Sequence, residues 1–197
     1  MLSDDFVEER IAISIANRTA VLEQMLSLSV FIKKASEILS CTLLNDSKII
    51  VLGTGISSAL AQIFCANLMH KFEIERPSLP AIAISADSIV TNAFDDESQS
   101  CQYAKQLRSL AKNGDSCVIL SPNRKSNPKL VQSILAAHEK ELPIIALTGF
   151  DGGEIATLLN DQDVELRIAS EHVITVREQH LMLLHCLNEL IDNQIFG

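Results

Sequence analysis

The chain has no uninterrupted apolar run of about 18 residues, so no stretch of it calls for a membrane-spanning helix. It also lacks an excess of basic residues: 16 Lys and Arg stand against 25 Asp and Glu, a formal charge of −9. That balance argues against broad, sequence-independent binding to nucleic acid, which needs a basic face, and leaves only an indirect role near DNA open. The five cysteines, Cys41, Cys65, Cys101, Cys117 and Cys186, are scattered and contain no CxxC pair, which suits buried thiols in a reducing cytosol. Asp4, Asp5, Glu8 and Glu9 give the N-terminus the wrong sign for a signal or transit peptide, so a cytoplasmic location is expected. There is no internal repeat, low-complexity tract or interdomain linker.

What is present is 47% hydrophobic residues over 197 positions, enough for one domain with a substantial core. Ser3 reads as an N-cap with acids in the first turn, opening a long helix with apolar Val7, Ile11, Ile15, Leu22, Met25 and Leu26. A second helix is expected over Val30–Leu44. The organising stretch is Lys48–Phe72: a short apolar run, Gly53-Thr54-Gly55, then Ser57 and Ser58 before a helical pattern of Leu60, Ile63, Phe64, Asn67 and Leu68. Such a strand, glycine turn and helix is either a phosphate cradle or an ordinary βα turn with serine caps. The P-loop lysine and the full GxGxxG spacing are both missing.

Strand and helix then alternate. Strands are expected at Ala81–Ser85, Ser116–Leu120, Ile144–Thr148 and Val164–Ile168, with helices at about 99–112, 128–140, 153–159 and 171–196. Short, continuously apolar strands fit a sheet buried on both faces. The expected fold is a three-layer α/β/α sandwich with a mostly parallel five-stranded sheet, flavodoxin-like in layout. It divides into N-terminal helices (1–45), an α/β core (46–170) and a C-terminal helix (171–197). Ligands in such folds sit at the carboxyl ends of the strands, here Gly53–Ser58, Asp87–Asp96, Ser121–Ser126 and Thr148–Gly153.

Four of these stretches, VLGTGISSALAQIF, ERPSLPAIAIS, the Ser121–Ser126 loop and ALTGFDGGEIA, resemble the SIS (sugar isomerase) domain family, and more narrowly its phosphoheptose isomerase branch. The resemblance covers essentially the full length, and the carboxyl-terminal LIDNQIF leans toward branch members that associate with the replication initiator DnaA. It implies a homotetramer with sugar-phosphate pockets near subunit interfaces. The amphipathic terminal helices serve either that assembly or core packing.

Carried over residue by residue, the resemblance assigns sugar-phosphate binding to Thr54, Gly55, Ser57, Asp96, Ser121, Asn123 and Ser126. It departs at Pro122, which has no N–H to donate, and at Arg124, which stands at the family's glycine position. If that glycine needs a positive φ, arginine costs about 1 kcal/mol or more of strain. Asp95 replaces an asparagine, and the acidic run 95–97 reads most simply as a solvated loop. The family's metal and catalytic positions fall at Ile63, Asn67, Arg177 and His185. Asn67 cannot take a proton at neutral pH, Ile63 offers no metal ligand and Arg177 would repel a cation, so no zinc or other cofactor is expected. His185 is the one remaining catalytic candidate, as a proton donor or simply as a hydrogen-bonded core or interface residue. Glu154 and Glu178 are candidates for a relocated base. Three functions follow from the resemblance. One is a tetrameric scaffold for DnaA with a degenerate isomerase site, in which Ile195 and Phe196 make the partner contact. The others are a working D-sedoheptulose 7-phosphate isomerase and a non-catalytic sugar-phosphate sensor.

Overall fold

The computed structural model describes residues 4–84 and 96–197, the side chains of 96–98 excepted. Ser3 and residues 85–95, with Ser85, Asp87 and Asp95 among them, lie outside the described residues. Helices α1 (Asp4–Gln24) and α2 (Ser29–Leu44) are joined by a 3-10 turn, Met25–Leu28. The core follows as β1 (Ile49–Gly53), α3 (Ile56–Met69), β2 (Ala81–Ile84), a 3-10 turn Asp96–Cys101, α4 (Gln102–Leu110) and β3 (Ser116–Ser121). It closes with α5 (Pro128–Glu139), β4 (Ile144–Gly149), α6 (Gly153–Leu158), β5 (Val164–Ile168) and α7 (Val173–Phe196). The helix expected from position 99 thus begins as a tighter 3-10 turn and becomes α-helical only at Gln102.

The five strands run in the order β2-β1-β3-β4-β5 and every pairing is parallel, so the mostly parallel expectation sharpens to wholly parallel. Strand alternation sends Ile49, Val51, Val118, Leu120, Ile145 and Leu147 to one face, against α2, α3 and α7. Ile50, Leu52, Cys117, Ile119, Ile144 and Ala146 go to the other, against α4, α5 and α6. The central strands β1, β3 and β4 are buried on both faces, which is why their sequences are continuously apolar. The edges differ: β2 is Ala-Ile-Ala-Ile, whereas β5 carries the Glu165–Arg167 ion pair.

The terminal helices part company. Helix α7 buries Val176, Leu183, Leu184, Leu187 and Ile191 in the core. Helix α1 has no fully buried residue: Val21 packs partly buried against the core, whereas Phe6, Val7, Ile11, Ile13 and Ile15 along its earlier turns are exposed. A polar contact also ties it to the body: Arg18 Nε donates to Glu178 at 2.7 Å.

Candidate functional site

In a parallel sheet of this order the chain reverses direction between β1 and β3, and the crevice opens at their carboxyl ends. Gly53-Thr54-Gly55 and Ser121–Asn127 therefore face each other across the switch point. Gly53 is required because a Cβ there would lie 2.4 Å from the Ser57 carbonyl. Gly55 is required by its backbone instead, with φ +58° and ψ −126°, since a methyl added there would meet no atom within 4 Å.

The turn largely satisfies itself. The amides of Ser57 and Ser58 donate to the carbonyls of Thr54 and Gly55, and the Ser58 hydroxyl donates to Gly55 at 2.7 Å. The Ser57 hydroxyl is the exception: it is fully buried and has no hydrogen-bond partner. Thr54 is half-buried and Gly55 exposed, both at the rim.

The opposite loop is clamped to its neighbour. Pro122 is buried, with its carbonyl where a side chain on Gly149 would clash. The Arg124 guanidinium lies 4.8 Å from the centre of the Phe150 ring and pairs with Glu171 at 3.3 Å. Arg124 is not among the residues with positive φ, so the strain considered for arginine at this position does not arise. The Ser126 hydroxyl accepts from the Ile155 amide at 3.4 Å, capping α6, while Asn127 caps α5 by accepting from the Lys129 amide. Ser121 is buried as the last residue of β3, and Asn123 is exposed and accepts from Arg177 at 3.5 Å. Asp96 opens the 3-10 turn, but its side chain lies outside the described residues.

The catalytic positions fall on α3 and α7, which pack side by side on one sheet face. Ile63 is exposed there. Asn67 is half-buried, and its carbonyl accepts from Arg76. The His185 ring packs at 5.4 Å against Phe72. Glu178 is taken by Arg18, and Glu154 stands in the first turn of α6. A zinc ion does not fit this donor set: Ile63 has no donor atom and Arg177 brings its own positive charge. Among the described residues, no three His, Cys, Asp or Glu side chains are grouped to hold a metal ion.

His180 is the buried histidine here. Its Nε2 donates to the Thr148 carbonyl at 3.0 Å, and burial holds its pKa down to about 4, with the nearby Arg177 guanidinium pushing the same way. The ring is therefore neutral, with Nδ1 unpartnered. Burial also pushes the Cys65 thiol up to about 12 and raises Cys117, which makes both inert at neutral pH. Sequence reasoning missed the opposite wall of the crevice. The Tyr103 hydroxyl donates to the Gly53 carbonyl at 3.2 Å, and the Lys129 ammonium donates to Gln102 at 2.9 Å. A lysine in the first turn of a helix carries no signal in the sequence that separates it from a solvated one.

A layered all-parallel sheet with a crevice at its switch point is the layout of a ligand-binding α/β domain, and the SIS-domain family matches residues 15–149: the chain belongs to that family. The DnaA initiator-associating protein DiaA of Edwardsiella ictaluri (strain 93-146) is 46% identical over 167 residues, 84% of this chain and 84% of that protein. Among solved structures, the phosphoheptose isomerase GmhA from Neisseria gonorrhoeae superposes with a TM-score of 0.85 at 31% identity, covering 95% of this chain and 99% of that one. A phosphoheptose isomerase from Francisella tularensis gives 0.86 at 31%, covering 98% and 100%.

Proposed function

We propose that this chain, as a single SIS domain over 1–197, is a DiaA-like tetrameric scaffold that binds the replication initiator DnaA in the cytoplasm and has lost efficient isomerase chemistry. The observation that carries the loss is the α3–α7 face. Aldose–ketose isomerisation needs a base and an acid within hydrogen-bond reach of adjacent carbons, and Ile63, Asn67 and a His185 tilted against Phe72 offer no such pair. The scaffold reading is supported by the likeness to DiaA and by α1, whose exposed apolar residues continue into Leu26, Val30 and Phe31 at the turn into α2. A helix with Val7, Ile11, Ile13 and Ile15 exposed on several sides suits burial between subunits. A tetramer would present several copies of Phe196, which is exposed beside Arg76, and of half-buried Ile195. Repeated weak contacts of that kind raise the effective concentration of bound initiator.

Two other readings follow from the crevice. The likeness to phosphoheptose isomerases supports conversion of D-sedoheptulose 7-phosphate to D-glycero-D-manno-heptose 7-phosphate for lipopolysaccharide heptose synthesis, with His185 as proton donor. The orphan Ser57 hydroxyl supports a pocket at Thr54, Gly55, Ser57, Asp96, Ser121, Asn123 and Ser126 that holds a sugar phosphate without turnover. The purified chain is expected to show no turnover of sedoheptulose 7-phosphate and to capture DnaA, with capture lost in Phe196→Ala while the sedimentation coefficient stays that of a tetramer. Turnover abolished by His185→Ala would overturn the scaffold reading, and phosphosugar protection against thermal unfolding with no DnaA capture would favour the sensor.

A further inference from the structure

Two cations withdrawn from solvent are paired with buried carboxylates: Arg76, 1% exposed, with Asp192, and Lys48, 25% exposed, with Asp115. Half-exposed Arg18 and Arg108 also have carboxylate partners, Glu178 and Glu139. Among the described residues, the half-buried lysines and arginines with no carboxylate within 4.0 Å are Lys129, Lys140 and Arg177. Lys140 needs none, because it closes the carboxyl end of α5, where the last carbonyls favour a cation.

Lys129 and Arg177 stand at the opposite kind of end. Lys129 is the second residue of α5 and Arg177 the fifth of α7, where the unpaired amides of the helix start already carry positive partial charge. Neutral groups alone hold them. Lys129 Nζ donates to the buried Gln102 amide and lies 5.9 Å from the centre of the Tyr103 ring. Arg177 reaches Asn123 only at 3.5 Å, and its Nε is buried with no acceptor. Both flank the same β3–α5 loop: Arg177 through Asn123 from the layer of α3 and α7, Lys129 beyond Asn127 from the layer of α4 and α5. Among the described residues, these are two cations without a carboxylate partner at one edge of the sheet.

We infer that this edge receives a small ligand carrying two acidic groups, one met by Arg177 and the other by Lys129, on opposite sides of the β3–α5 loop. A sugar bisphosphate or a phosphorylated sugar acid has that chemistry. A single phosphate would satisfy one cation and leave the other without a counter-ion. The inference rests on the phosphosugar-pocket part of the reading above and is independent of DnaA capture.

The test is calorimetric titration of the full chain at low salt with fructose 1,6-bisphosphate, 6-phosphogluconate, fructose 1-phosphate and fructose 6-phosphate. At least one doubly acidic ligand is expected to bind about tenfold or more tighter than either monophosphate, as one added charge-assisted contact implies. Which of the two gains tells whether the second acid is a phosphate or a carboxylate. Lys129→Met and Arg177→Met are each expected to reduce that ligand to monophosphate affinity, and Lys129→Arg and Arg177→Lys to restore part of it, at unchanged thermal midpoints. Equal affinity for one and two acidic groups, a preference that survives both methionine variants, or no binding of any probe would overturn the inference. DnaA capture measured on the same preparations separates that failure from failure of the scaffold reading.

Discussion

Two aspartates show how single residues close the amino-terminal edge of the sheet. Asp115 accepts from the amides of Lys48 and Lys112 and pairs with the Lys48 ammonium. Asp163 accepts from the amides of Ile144 and Asn160, both at 2.9 Å, and stands 2.8 Å from His138 Nε2. Each carboxylate thus gathers one backbone donor at the start of a strand and one just after a helix. Asp163→Asn places an amide donor among those donors and is expected to cost about 1–3 kcal/mol in urea unfolding. His180 acts through protons instead. Its folded pKa, about 4, lies below the ordinary histidine value of 6.5, so the unfolded chain binds the extra proton first as pH falls. Its contribution is full above pH 6.5 and is lost as pH drops toward 4, on the order of 3 kcal/mol over that window. The wild type should therefore lose stability in this range relative to His180→Gln, measured as a difference between parallel denaturant titrations, and parallel curves would refute the assignment.

At the scale of elements, Arg76 joins α3 to α7. Its side chain is 1% exposed and that of Asp192 5%, with Nε donating to Oδ1 at 2.6 Å. The remaining nitrogens take the carbonyls of Asn67 and Leu68, which the end of α3 leaves open. Asp192→Ala strands a buried guanidinium and is expected to cost about 3–5 kcal/mol, whereas Arg76→Met with Asp192→Leu should recover much of that in the same denaturation assay. This pair explains what the sequence could and could not reveal. Strands β1, β3, β4 and β5 were legible within a residue, because apolar run length and turn residues act locally. The Arg76–Asp192 contact joins positions 116 apart and leaves no local pattern. In the crevice, the positions of Ser57 and Ser121 were legible from the strand ends. That Ser126 serves α6, and that Arg124 rests on Phe150, depends on the β4–α6 turn folding back against the loop. The exposed apolar surface of α1 was hidden for a related reason: an apolar helical pattern is the same whether its cover comes from its own chain or from another.

For the whole molecule, the all-parallel order leaves two edges with different protection. At β5 the Glu165–Arg167 pair puts charge on the outermost strand. At β2 the outermost strand is four small and branched apolar residues with no charge. Among the described residues nothing pairs with its outer side, and a free strand of that composition is a template for another strand, which charged side chains ordinarily deter. During refolding, when long-range parallel pairings form late, β2 is therefore the edge through which chains would join into aggregates. Ile82, only partly buried beside the second core cluster, is the place to test this. Ile82→Lys should lower light scattering on refolding at micromolar concentration while costing some native stability, whereas a lysine added to β5, already guarded, should change scattering little.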